Sequence, residues 1–92
     1  MIHVELVNGR SIEIEWRHKP LERESVCMGR VVHADSDVHS YCSAKARCHP
    51  NDGWSKEQGR RVTLTRLLNQ LRTAEKFTKF ERKLVWLVYF SR

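Results

Sequence analysis

Two stretches near the N-terminus, "IHVELV" and "SIEIEW", alternate apolar and polar residues with a period of two around "NG". That is the mark of a strand pair with one buried face. A two-residue turn would set Val4 against Glu13, apolar against polar. A three-residue loop, Val7-Asn8-Gly9, instead pairs Leu6 with Arg10, Val4 with Ile12 and Ile2 with Ile14. This second register gathers the apolar side chains on one face and puts Gly9 at the left-handed position of a bulge. It is the expected one, because a one-residue slip would turn the whole apolar set outward.

Residues 17–25, "RHKPLERES", are polar and contain Pro20, which predicts a loop. Two further strands are expected at 26–33 and 40–48, joined by "ADSDVH" into a second hairpin. In the last strand Cys42, Ala44, Ala46 and Cys48 share a face. Side chains that small suit a helix lying close to the sheet. The stretch "HPNDG" at 49–53 reads as a turn. Ser55 then offers an N-cap, and Gln58 three residues later completes a capping-box pattern. Leu64, Leu67, Leu68 and Leu71 fall at i, i+3, i+4 and i+7, one apolar arc of a helix. Gly59 in its first turn costs about 1 kcal/mol against alanine, which a close approach to the sheet would justify.

Thr78 and Glu81 repeat the capping pattern, so a second helix is expected, with Phe80, Leu84, Leu87 and Val88 as its apolar face. "LVWLVYF" is also β-prone, which leaves strand as the alternative for 78–91. The fold class is therefore α+β, a four-stranded antiparallel sheet of two hairpins followed by two helices on one face. Residues 1–92 make a single domain, with a sheet part at 1–48 and a basic helical part at 54–92.

Composition sharpens this picture. Apolar residues make up 40% and charged residues 30%, which is globular rather than disordered. No apolar run approaches the length of a membrane span, so no membrane association is expected. The N-terminal stretch lacks a basic region followed by an apolar block, so a cytoplasmic location is expected. Three cysteines, with no C-x-x-C pair, argue for reduced thiols and against a disulfide framework.

The net charge of +6 is uneven. Residues 1–54 hold seven Lys/Arg against eight Asp/Glu, and residues 55–92 hold ten against three. All of the basic excess lies in the helical part, and it points to an anionic partner, a nucleic acid or an acidic protein. Arg61, Arg72, Lys76, Lys79, Arg82 and Lys83 are expected to form positive surface around the helix junction. Arg66 lies on the opposite side of the first helix and is counted with them among the proposed contacts. Trp86, Tyr89 and Phe90, next to Lys83 and Arg92, could stack on bases, plug a partner's groove, complete the core or bury against a second copy, with Trp86 and Tyr89 the proposed contacts. Arg60 falls within the leucine arc and is expected to tuck inward, pairing with Asp52.

Other chemistry is thinly represented. Cys27, Cys42, Cys48, His33 and His49 could supply metal ligands, but C-x5-C-H matches no common zinc spacing. "HADSDVH" reads as a solvated loop rather than a cluster of ligands. A glycine, a serine and a lysine at a helix start could hold an anion locally, though the capping box competes for the same N–H groups. Glu13 and Glu15 share an outward strand face without a nucleophile, and no nucleophile elbow or metal-hydrolase pattern is present. A non-enzyme without a cofactor is the expectation, and a small metal-dependent nuclease is an alternative.

The segment "SAKARCHPNDGWSKEQGRRVTLTRLL" resembles a pattern in small proteins of tailed bacteriophages. Such proteins end a strand in small residues, pass through a C-x-P-x-D-x-aromatic-S turn, and begin a helix with G-R and leucines. The matching positions are Ala44, Ala46, Cys48, Pro50, Asp52, Trp54, Ser55, Gly59, Arg60, Leu64, Arg66 and Leu67, about a third of the chain. Val62 and Thr63 depart from the Ala or Leu found there. The resemblance implies a shared fold and a phage setting inside a bacterial host cell. It brings no catalytic residues. By analogy it points to an accessory factor that binds host machinery, such as an anti-CRISPR-like inhibitor. The expected function is thus a non-enzymatic phage-type protein that binds a nucleic acid or nucleoprotein complex, or an acidic host protein, through its basic surface. A protein–protein or homodimerisation module built on the apolar C-terminal helix is the alternative.

Overall fold

The computed structural model describes residues 1–35, 39–48, 53 and 55–92. Four strands, β1 (Ile2–Glu5), β2 (Arg10–Lys19), β3 (Glu24–His33) and β4 (His39–Arg47), form one antiparallel sheet in the order β1-β2-β3-β4. Two helices follow, α1 (Lys56–Ala74) and α2 (Lys79–Ser91). Both pack on one face, α1 over β3 and β4 and α2 over β1. The α+β architecture and the helical state of the C-terminal segment are as the caps and periodicities predict.

The first hairpin has the bulged register. Ile2 faces Ile14 and Val4 faces Ile12. The Leu6 amide donates to the Arg10 carbonyl at 2.8 Å. Gly9 has φ +72° and Asn8 φ +59°, the left-handed geometry that such a loop needs. As a result Ile2, Val4, Ile12 and Ile14 are all buried beneath the helices.

The second connection departs from expectation. Residues 17–25 are mostly strand, not loop. β2 continues through Lys19, a 3₁₀ turn covers Pro20–Glu22, and β3 starts at Glu24. Arg17 pairs with Val26, His18 with Ser25 and Lys19 with Glu24. Polarity here reports exposure at the sheet's end rather than absence of strand. Pro20 sits at the head of the turn, where its missing N–H costs nothing. The sheet is therefore a continuous meander. β4 spans His39–Arg47, one residue earlier than expected, and leaves Cys48 just beyond it.

The small-residue face of β4 lies under α1, with Ala44 buried and Cys42 and Ala46 half-buried. A Cβ on Gly29 would stand 3.1 Å from both the Cys42 Sγ and the Leu67 Cδ2, which shows how closely α1 approaches. Leu64, Leu67, Leu68 and Leu71 are all buried. Each contributes roughly 1.5–3 kcal/mol by leaving water. Ser55 accepts from the Gln58 amide at 3.3 Å, which forms the N-cap half of the expected capping box. The expected pairing of Arg60 with Asp52 involves a residue outside the described set. Within that set Arg60 is half-buried and pairs with Glu57 at 3.1 Å.

α2 keeps its capping box, with the Thr78 hydroxyl accepting from the Glu81 amide and the Glu81 carboxylate accepting from the Thr78 amide, each at 3.1 Å. Its buried face is not the expected one. Glu81, Val85 and Tyr89, in line with Phe77 before the helix, face the sheet. Leu84 and Val88 are only partly covered, and Phe80 and Leu87 are exposed. The reason is Glu81. A carboxylate in the middle of the buried stripe hides that stripe from hydrophobic periodicity, and it is tolerated because Arg10 of β2 meets it. Arg10 Nη2 donates to Glu81 Oε1 at 2.7 Å, and Nη1 to the Glu75 carbonyl at 2.8 Å. The guanidinium also lies 5.1 Å from the centre of the Phe77 ring. A single strand residue thus fastens the helix junction to the sheet.

Candidate anionic-partner interface

The two helices run antiparallel. The Leu71 carbonyl near the end of α1 accepts from the Phe77 amide just before α2. At the far end Glu57, in the first turn of α1, meets Tyr89 and Arg92 at the end of α2. Lys76, with φ +53°, carries the chain through the reversal between them.

The helical layer contains three carboxylates, and each one lies against a basic side chain. Glu81 is fully buried against Arg10. Glu75 lies 3.8 Å from His33 of β3. Glu57 accepts from the Tyr89 hydroxyl at 2.9 Å, Arg61 Nε at 3.0 Å, Arg60 Nη2 at 3.1 Å and Arg92 Nη2 at 3.5 Å. The Tyr89 hydrogen bond, followed by those from Arg60 and Arg61, holds the Glu57 carboxyl down to about 2. Burial, then the adjoining carboxylate, pushes the Tyr89 hydroxyl up.

The cations fall into distinct places. Arg72, Lys76, Lys79 and Lys83 are exposed around the junction and along the outer face of α2. No carboxylate among the described residues pairs with any of the four. Arg82 is half-buried and donates to the Phe77 carbonyl at 2.8 Å, so it helps close the junction. Arg61 is exposed but shared between Glu57 and the face of Phe90, whose centre is 5.2 Å away. Arg66 stands apart. It reaches across the other side of α1 to the Lys45 carbonyl of β4 at 2.6 Å. The nine residues singled out from sequence therefore do not form one surface, although the junction group does.

The aromatic pair also divides. Trp86 is half-buried and stacks on Phe90, with ring centres 5.6 Å apart and planes 21° apart. Tyr89 is fully buried, edge-on to Trp16 at 5.5 Å, and is unavailable to a partner. It belongs to the core because it continues the Phe77–Glu81–Val85 line. The exposed rings of α2 are Phe90, expected from sequence as a contact ring, and Phe80, expected from sequence on the buried face. Their signal was present in the i, i+7, i+10 spacing of Phe80, Leu87 and Phe90, but the helix has apolar residues on all sides and its outward side could not be chosen from pattern alone. Arg10, Glu57 and Glu81 were missed as a structural framework because the partners that tie them across elements lie 32 to 71 residues away.

The remaining candidates offer little chemistry. The described His, Cys, Asp and Glu residues contain no group of three able to hold a metal. Cys27 is buried and its thiol is pushed up to about 12, chiefly by burial, so it packs rather than reacts. Asp37 and His49 lie outside the described residues. A cavity of about 590 Å³ lies on the helix-free face of the sheet. It is lined by Glu13, Glu15, Met28, Arg30 and Tyr41, and Glu13 is paired with Arg30. No helix among the described residues is long and apolar enough to cross a membrane. In comparisons with known proteins the chain matches no family model, no curated protein and no solved structure.

Proposed function

We propose that this chain is a non-enzymatic accessory protein of phage type that binds a nucleic acid or a host nucleoprotein complex and inhibits a bacterial defence or host effector by occupying it. One observation carries the binding part. The helical layer uses all three of its carboxylates internally, while Arg72, Lys76, Lys79 and Lys83 stay exposed and without an acidic partner among the described residues. Such an imbalance concentrates positive potential on one side of the molecule and draws in phosphate-rich chains. The phage setting and the inhibitory role rest on the resemblance of residues 44–67 and on analogy.

The test is a titration of labelled single-stranded DNA, RNA and duplex DNA at several salt concentrations. Log affinity is expected to fall against log salt with a slope of roughly 0.7–0.9 per phosphate neutralised, so about three to four in all for this cation set. The triple change Arg72→Glu, Lys79→Glu, Lys83→Glu is expected to abolish binding while leaving the circular dichroism spectrum intact. Salt-independent or undetectable binding removes this reading.

A further inference from the structure

The outer face of α2 carries a feature that cation counting does not explain. Phe80, Leu87 and Phe90 are 59%, 57% and 60% exposed. At i, i+7 and i+10 they stand on the side of the helix opposite Glu81, Val85 and Tyr89. Half-buried Leu84 and Trp86 flank them, and Trp86 stacks on Phe90. Lys79 and Lys83 share this face, and the Arg61 guanidinium closes one end over the Phe90 ring. Isolated exposed apolar side chains are ordinary, but a stripe of them with a charged rim has the make-up of an interface centre.

We infer that this stripe is a docking site for an acidic amphipathic helix of a protein partner. Three occupants fit a helix face, and charge decides among them. A second copy would set Lys79 and Lys83 against themselves, with Glu57 already shared among Arg60, Arg61 and Arg92, in a chain already at +6. Nucleic acid would satisfy Lys79 and Lys83 but would leave aliphatic Leu84 and Leu87 facing sugar and phosphate. A helix with leucines on one side and glutamates along its flanks satisfies both sets at once, with its apolar anchors against Phe80, Leu87 and Phe90 and its carboxylates against Lys79, Lys83 and Arg61. This inference shares with the proposed function the reading of the helical layer as the working side. It assigns the apolar stripe of α2 to protein, with Lys79 and Lys83 open to either ligand and the junction cations Arg72 and Lys76 serving nucleic acid alone.

The experiment titrates the full chain with a synthetic acidic helical peptide of roughly 20 residues, long enough to hold helix when docked. A scrambled peptide of the same composition and a single-stranded DNA of similar charge run in parallel. The patterned peptide is expected to bind roughly tenfold tighter than the scrambled one, and Leu87→Ser with Phe90→Ser to remove that advantage. Both positions are exposed, so the fold should persist, which circular dichroism verifies. Arg72→Glu with Lys76→Glu should weaken DNA binding and spare the peptide. Loss of DNA binding by every form, with the peptide still bound, would remove the nucleic-acid reading and support this one. Equal binding of patterned and scrambled peptides would overturn the inference. So would a dimer that Leu87→Ser dissolves, or DNA binding lost through Leu87→Ser and Phe90→Ser.

Discussion

Replacing Gly59 by alanine should destabilise this protein, although an alanine in a helix interior is ordinarily favourable. The helix preference alone would contribute about 1 kcal/mol in alanine's favour. Against it stands the sheet. A Cβ at position 59 would lie 2.1 Å from the Ser25 Oγ and 2.9 Å from the Ser25 Cβ. The hydroxyl could rotate away, but the Cβ moves only with the β3 backbone. Ser25 is 1% exposed and its Oγ is 2.8 Å from the His18 Nδ1, so rotation also breaks a buried hydrogen bond. Overpacking of this kind costs roughly 1–3 kcal/mol, and the lost bond about 0.5–1.5. The net loss is about 1–3 kcal/mol, or roughly 5–20 °C in Tm for a domain of this size. Urea and thermal unfolding followed by circular dichroism measure it. The Ser25→Gly background supplies the control, because it removes both clashing atoms and leaves the His18 Cε1 at 3.8 Å as the nearest remaining contact, an ordinary one. There Gly59→Ala should be neutral or stabilising, and the cycle should show a coupling of about 1 kcal/mol or more. Gly59→Ala as stable as the parent, or an equal penalty in both backgrounds, would refute the steric argument.

Three further outcomes follow from the ion pairs and the thiols. Arg10→Met leaves the fully buried Glu81 carboxylate without its cation and should cost about 3–5 kcal/mol, whereas adding Glu81→Gln should recover part of that, as measured by urea midpoints. Glu57 has a folded pKa near 2 against an ordinary 4.5, so its contribution is complete above 4.5 and fades as pH falls toward 2. Glu57→Gln should therefore be less stable than the parent at neutral pH, with the gap closing across that window, and a pH-independent gap would contradict the Tyr89 and arginine contacts. Cys27, buried with its thiol raised to about 12, should react with a disulfide reagent only when the chain unfolds, and a mass-mapped adduct at Cys27 in native buffer would count against its packing role.

Local rules were sufficient wherever one chain segment decides its own state. The bulged first hairpin follows from keeping Ile2, Val4, Ile12 and Ile14 on one face, and α1 follows from its cap and leucine arc. The reason for Gly59 was visible as a need for close approach, but its partner Ser25 was not, because that contact joins residues 34 apart. The β2–β3 turn was hidden by polar composition at a solvent-exposed sheet end, where pairing rather than hydrophobicity sustains a strand. The sharpest division is in α2. Its sequence specifies a helix through Thr78 and Glu81, yet with apolar residues all round it cannot say which side is inward. The strand residue Arg10 settles that by accepting Glu81 into the core, which brings Tyr89 inward with it and turns Phe80, Leu87 and Phe90 to solvent. Charge excess could be read along the chain because composition is additive. Which cations share a surface could not, since that depends on how α1 and α2 are rotated against the sheet, and long-range contacts set that rotation.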